Sequence, residues 1–228
     1  MLRSDLGEPR RPAGTWLLSA PLPEAAVYFL GCGPHESAEA ALAALGERPG
    51  RLAHLRQIHS ARVVEASDGG PCGEGDALWT RSPGLALAIA TADCVPVVLT
   101  GPGYVAAVHA GWRGIAAGVV PATVADAPLL PEKLQAWIGP AIGPCCYEVG
   151  EDVALAVEVA SGPEVVLRGR GPRPYLDLVA AVATQLESAG VATLATTGQC
   201  TRCAPGRWWS YRREGRGAGR NYALAWLR

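Results

Sequence analysis

The chain has 228 residues, 49% of them hydrophobic and 18% charged. That suits a globular protein with a sizeable core and excludes an intrinsically disordered one. A net charge of -1 supplies no global basic field for nucleic acid or a membrane surface.

Residues 1–11 are charged and lack an apolar centre, so they do not read as a signal peptide. Residues 25–30 read as a short strand. Residues 37–45, rich in Ala, Leu and Glu, read as a helix ended by Gly46 and Pro49. Alternation around Leu55, Ile58, Val63 and Val64 predicts strands within 51–66. The apolar run 84–92, closed by Asp93, is far too short to span a bilayer and predicts a strand over 85–91. Residues 95–99 follow, with Pro96 expected to break their regularity. Residues 104–109 predict another buried strand, and 114–125 a helix after a glycine turn. A strand over 134–138 stops at Gly139-Pro140. The segment 139–150 is turn-rich. Helices are predicted over 151–160 and 176–189, and a strand over 222–227. Strands and helices mix without strict alternation, so the fold class is α+β. No linker stands out, and residues 1–228 read as one domain. With neither signal nor span, a cytoplasmic location is expected.

The seven cysteines read as thiols, because the count is odd and no secretion signal precedes them. Cys200-Thr201-Arg202-Cys203 has no second pair of the same spacing, so a structural or incidental role is expected. Adjacent side chains diverge, so Cys145 and Cys146 are not expected to share an ion.

Four histidines are present: His35, His54, His59 and His109. His109 closes a predicted strand and precedes Ala110-Gly111-Trp112-Arg113-Gly114, where small residues allow close approach and Arg113 adds a cation. Cys94 follows an apolar strand beside Asp93. His59 lies in Gln57-Ile58-His59-Ser60. Two imidazoles and a thiol at element ends suffice for a catalytic zinc with an open fourth position. Separations of 35 and 15 residues form no short metal motif, and the competing reading is two hydrogen-bonded histidines and a buried thiol. No phosphate-binding glycine loop or dinucleotide pattern is present.

Six segments occur in a telling order: Gln57-Ile58-His59-Ser60; Gly75-Asp76-Ala77-Leu78; Thr91-Ala92-Asp93-Cys94-Val95-Pro96; His109-Ala110-Gly111-Trp112-Arg113-Gly114; the run 138–150 around Cys145-Cys146-Tyr147; and Ser210-Tyr211-Arg212-Arg213. In this the chain, from about residue 50 onward, resembles the laccase-domain family, also called polyphenol oxidase-like or peptidoglycan-editing-factor proteins. The resemblance implies zinc on His59, Cys94 and His109. It implies a mixed β-sandwich flanked by helices, related to the catalytic domain of cytotoxic necrotising factors. It implies phosphorolysis of adenosine, inosine, guanosine and methylthioadenosine, and deamination of adenosine. Small-molecule nucleoside and phosphate are then the partners, with neither nucleic acid nor membrane. Catalysis would involve Cys94 and His109, with Asp93 and Asp76 as candidate acids. Arg56, Gln57, Arg113 and Arg212 are the candidate substrate contacts.

Two departures accompany the resemblance. The family's N-terminal Phe-x-Thr-Arg is replaced by Phe29-Leu30-Gly31-Cys32-Gly33, so if that arginine holds an anion in relatives, this chain uses another cation or has lost the function. Trp79 stands where relatives carry a smaller residue, with an expected effect on pocket volume. Copper redox chemistry is not expected: four imidazoles are too few for a multicopper oxidase, and Met1 is the only methionine available as an axial ligand. Two alternatives stand beside the zinc enzyme. One is a metal-free hydrolase or deamidase with Cys94 as nucleophile and His109 as base. The other is a factor that binds or edits peptidoglycan precursors. The basic, aromatic stretch around Arg207, Trp208, Trp209, Tyr211, Arg212, Arg213 and Arg216 is expected to wall the same cleft, not to bind nucleic acid.

Overall fold

The computed structural model describes residues 6, 8–20, 22–46, 49–191 and 193–228. Most of the charged N-terminal stretch lies outside them.

Strands β1 (Leu17–Ala20), β2 (Ala25–Leu30) and helix α1 (Ala38–Ala43) come first. Strands β3 (Arg51–Arg56), β4 (Val63–Glu65), β5 (Gly70–Glu74), β6 (Ala77–Thr80), β7 (Leu85–Thr91), β8 (Val95–Gly101) and β9 (Tyr104–Ala110) follow. Next are helices α2 (Trp112–Ala116) and α3 (Val119–Asp126), strand β10 (Gln135–Ile138) and helix α4 (Glu151–Ser161). A short ribbon, β11 (Val166–Leu167) with β12 (Tyr175–Leu176), leads into helix α5 (Leu178–Ser188) and β13 (Thr193–Thr196). The short helix α6 (Tyr211–Glu214) and β14 (Asn221–Leu227) end the chain.

Two mixed sheets result, in the orders β1-β2-β14-β7-β3-β5 and β13-β10-β8-β9-β6-β4. The fold is α+β. Period-two alternation assigns each strand's faces. Leu85, Leu87 and Ile89 of β7 join Val105 and Ala107 of β9 in a core between the sheets. Ala86 and Ala88 turn outward to Ala41 and Leu42 of α1. Tyr104, Ala106 and Val108 face a second core built with Ile115, Val119, Val157 and Leu186 of the helices. Both faces of β7 and β9 are therefore covered, which is why each reads as an unbroken apolar run.

The helix expected over 114–125 is two helices. Gly118 takes a left-handed conformation, φ +81°, and caps the second of them. Pro96 does not interrupt its strand. It sits opposite His109, one residue before pairing with β10 begins at Val97, so its missing N–H leaves that ladder intact. Trp79 lies in the helix-side core, tilted against Tyr104, and donates to the Asp126 carboxylate at 2.6 Å. It does not line the cleft described below, so the expected effect on pocket volume is corrected.

The glycine-rich segment after β2 has a packing role. Arg207 O receives Cys32 N at 2.8 Å, and the fully buried Trp208 ring covers Gly31. A Cβ on Gly31 would stand 2.1 Å from Arg207 O and 2.5 Å from Trp208 Cε3. A backbone atom cannot swing aside as a side chain can. Gly31→Ala is therefore expected to destabilise the protein by about 1–3 kcal/mol through overpacking. A chemical denaturation midpoint equal to that of the unmodified protein would contradict this packing.

Candidate active site

The site is assembled where the chain passes repeatedly from one sheet to the other. The β3–β4 connection carries His59, the β5–β6 connection carries Asp76, and the β7–β8 connection carries Asp93 and Cys94. His109 lies near the end of β9, opposite Pro96. These crossings gather at one end of the sandwich.

One ligand atom from each of His59, Cys94 and His109 lies within 4.8 Å of the other two. The imidazoles meet edge to face, with centroids 4.8 Å apart. Gly111 makes room for them, since a Cβ there would be 3.0 Å from both Cys94 Sγ and His59 Cδ2. Exposure is graded: His109 is buried, Cys94 half-buried and His59 exposed. The group is thus closed on the protein side and open toward solvent, as a catalytic metal site must be.

Asp76 holds this group in place. Its carboxylate is fully buried. Oδ1 accepts from His59 N at 2.9 Å and bonds His109 Nδ1 at 2.8 Å. Oδ2 accepts from Ser60 N at 2.5 Å, Ser60 Oγ at 2.8 Å and Ile58 N at 3.3 Å. Burial alone would push this carboxyl upward. The bonds from His109 and Ser60 outweigh it and hold the group well below the usual carboxylate range. Because Nδ1 of His109 faces Asp76, its Nε2 is turned toward Cys94 and the open position. Burial pushes the Cys94 thiol up, but hydrogen bonds from His109 and His59 overcome it and hold the group at about 6. His109 moves the other way, to about 9: burial lowers it, while Asp76 and Cys94 raise it further.

Two non-glycine residues here have positive φ, His59 at +60° and Asp93 at +93°. Each is pinned by side-chain bonds. Asp93 Oδ1 accepts from Thr201 Oγ1 at 2.6 Å and Oδ2 from Arg212 N at 2.7 Å. Strain of this kind persists only where surrounding bonds over-determine it.

A cleft of about 620 Å³ opens over the three ligands. Gln57, Asp93, Arg113 and Arg212, all singled out in the sequence, line it. Gln57 is also a clamp, bonding both the N–H and the C=O of Ala90. Arg56 is not brought to the cleft. It is exposed on β3 and pairs with Glu74 of β5, so its expected substrate role is corrected. Asp76 and Asp93 are near as expected, but both oxygens of each already accept hydrogen bonds. They act as anchors.

Sequence reasoning missed Tyr147 and Arg220, which also line the cleft. Arg212 lies over the Tyr147 ring at 5.0 Å and donates to Glu148 O at 2.8 Å. The proximity of Tyr147 to Cys146 in a turn-rich segment was the available signal. The basic C-terminal stretch is divided in use. Tyr211 and Arg212 line the cleft, Trp208 is core, and Arg213 ties down Thr201 O, Arg202 O and Trp208 O.

Residues 35–228 match the family described as multi-copper polyphenol oxidoreductase laccase. The chain belongs to this laccase-domain family. It is 43% identical over 190 residues to a protein of Deinococcus radiodurans named purine nucleoside phosphorylase, covering 81% of this chain and 74% of that one. The fold matches Neisseria meningitidis protein NMB0706 with a TM-score of 0.80 and 32% identity, covering 92% of this chain and 98% of that one. It also matches YlmD of Geobacillus stearothermophilus with a TM-score of 0.85 and 27% identity, covering 99% and 100%.

Asp76 is the residue whose loss should be felt most. Asp76→Ala leaves the His59 and Ser60 amides and His109 Nδ1 without their acceptor. We expect a loss of about 3–5 kcal/mol, the cost of breaking a buried charged pair. Equilibrium unfolding measures it, and a loss below about 1 kcal/mol would contradict the anchoring role.

Proposed function

We propose that the protein is a zinc-dependent purine nucleoside phosphorylase whose nucleoside and phosphate bind in this cleft. The observation that carries the reading is the convergence of His59, Cys94 and His109 beneath a cleft lined by Arg113, Arg212 and Arg220. The Deinococcus radiodurans relative's name supports the same reaction class. The donor set, two imidazoles and a thiolate with one open side, fits zinc. Zinc bound there would supply a Lewis acid at the cleft floor.

The chain's own residues account for the rest. Arg113, Arg212 and Arg220 offer charge-assisted donors to phosphate and to charge that develops during reaction. They supply the cations that the missing N-terminal Thr-Arg would otherwise provide. Tyr147, with Arg212 across its ring, forms a wall against which a purine can stack. In phosphorolysis a phosphate oxygen bonds to the anomeric carbon, the glycosidic bond breaks, and its electron pair leaves with the purine, which takes up a proton. Adenosine, inosine, guanosine and methylthioadenosine share the bond that breaks and are the proposed substrates. Deamination of adenosine needs water in place of phosphate and a proton for the departing amine. Both reactions need a proton for the leaving group, and the three arginines that line the cleft favour the one that brings in phosphate.

A second reading has one observation in its favour. Cys94, His109 and Asp76 form a line of nucleophile, base and orienting carboxylate, as in a metal-free cysteine hydrolase. Alkylation separates the two readings. If zinc caps Cys94, the thiol resists alkylation until a chelator is added. If the thiol is the nucleophile, a chelator leaves activity intact and alkylation abolishes it.

The test is phosphate-dependent release of purine base from inosine and adenosine, with sugar phosphate as co-product. Cys94→Ala should lower kcat/KM by about 100-fold or more. Arg212→Ala should raise the KM for phosphate about tenfold, the loss of one charge-assisted bond. Base release independent of phosphate, or full activity in Cys94→Ala, would overturn the proposal.

A further inference from the structure

A second cluster lies outside the cleft. The Sγ atoms of Cys145, Cys146, Cys200 and Cys203 all lie within 4.8 Å of one another. Cys203 Sγ is 3.6 Å from Cys145 Sγ and 3.3 Å from Cys146 Sγ. A tetrahedral ion with bonds of about 2.3 Å separates its sulfurs by about 3.8 Å; the two closest approaches to Cys203 fall a little short of this, and no pair is more than 4.8 Å apart. The vicinal pair does not diverge too far to serve together, contrary to the expectation from sequence. The turn at 143–147, closed by Cys146 N and Tyr147 N on Gly143 O, brings both thiols to the same side.

The backbone around the thiols is organised as well. Gly143 N donates to Cys200 Sγ at 3.2 Å, a bond that favours thiolate. The thiols pack closely on Gly143, where a Cβ would stand 3.3 Å from Cys200 Cβ and 3.4 Å from Cys145 Sγ. The two ligand segments are already joined by Thr201 N to Ala141 O and Ala141 N to Gln199 O. Four crowded thiols cannot all ionise by themselves. A dication removes that conflict.

We propose that Cys145, Cys146, Cys200 and Cys203 form a second, structural site for a tetrahedral thiophilic dication of the zinc class. All four positions are filled by protein, so this site is closed to chemistry, unlike the one beneath the cleft. Its place in the fold gives it a purpose. Cys146 precedes Tyr147, and Cys200–Cys203 brackets Thr201, which bonds Asp93. The ion would staple the segment that carries Tyr147 to the loop whose Thr201 shares the Asp93 carboxylate with Arg212.

Metal content of protein prepared under reducing conditions without chelators tests it. Cys200→Ser/Cys203→Ser should lose one equivalent of zinc per chain relative to the unmodified protein. Cys94→Ala should keep that equivalent, so failure of the active-site reading and failure of this one are distinguishable. Cobalt added to metal-free Cys94→Ala provides a second readout that does not require the double variant to fold. It should give the intense thiolate-to-cobalt charge-transfer absorption of a tetrahedral all-sulfur site. Unchanged zinc in Cys200→Ser/Cys203→Ser, no thiolate charge transfer with cobalt, or an intact mass showing these thiols joined as disulfides would each overturn the proposal.

Discussion

The candidate active site depends on one buried carboxylate. Asp76 has no exposed surface, and its two oxygens accept from His59 N, Ile58 N, Ser60 N and Ser60 Oγ and bond His109 Nδ1. Burying an unpaired charge costs several kcal/mol, so such a group persists only with its hydrogen-bonding capacity met. Here that requirement also dictates geometry. The same carboxylate fixes the left-handed backbone of His59 and the ring orientation of His109. It thereby aims two imidazoles at Cys94, one from the β3–β4 crossing and one from β9.

The rest of the fold supplies the crossings that this carboxylate ties together. The β3–β4, β5–β6 and β7–β8 connections all pass from one sheet to the other. A crossing must turn sharply, and tight turns hold polar side chains against exposed backbone amides. Asp76 binds the first crossing to the second. Gln57 binds the end of β3 to Ala90 of β7. Asp93 binds the third crossing to Thr201 and Arg212 of the C-terminal segment. A ligand set spread over residues 59–109 thus becomes a single compact group, and the cleft walls are attached to it by the same kind of bond.

Much of the fold was legible in sequence because burial imposes period. The strands at 25–30, 85–91, 104–110 and 221–227 are apolar runs, and the helices at 151–161 and 178–188 carry apolar stripes. The strands at 17–20, 70–74, 77–80 and 193–196 were not read. They are short, and Gly70-Pro71 within β5 resembles a loop. Cys94 and His109 stood out because each ends a buried strand, and His59 through the motif order. Arg56 misled because charge alone says nothing about which side of a strand a residue takes. Its partner Glu74 lies on β5, a pairing set by tertiary register. The four-cysteine cluster was invisible for a related reason. A vicinal pair and a CxxC more than fifty residues apart become one site only when Ala141 and Cys200 run side by side.

On the proposed reading, two crossings of the fold and strand β9 deliver His59, Cys94 and His109 to one zinc ion. Anomalous diffraction from crystals of the protein, collected on either side of the zinc edge, tests it directly. A zinc peak is expected at about 2.0–2.3 Å from His109 Nε2, Cys94 Sγ and a ring nitrogen of His59, with an open side toward the cleft. A fully metallated crystal with no zinc peak at these three residues would contradict it.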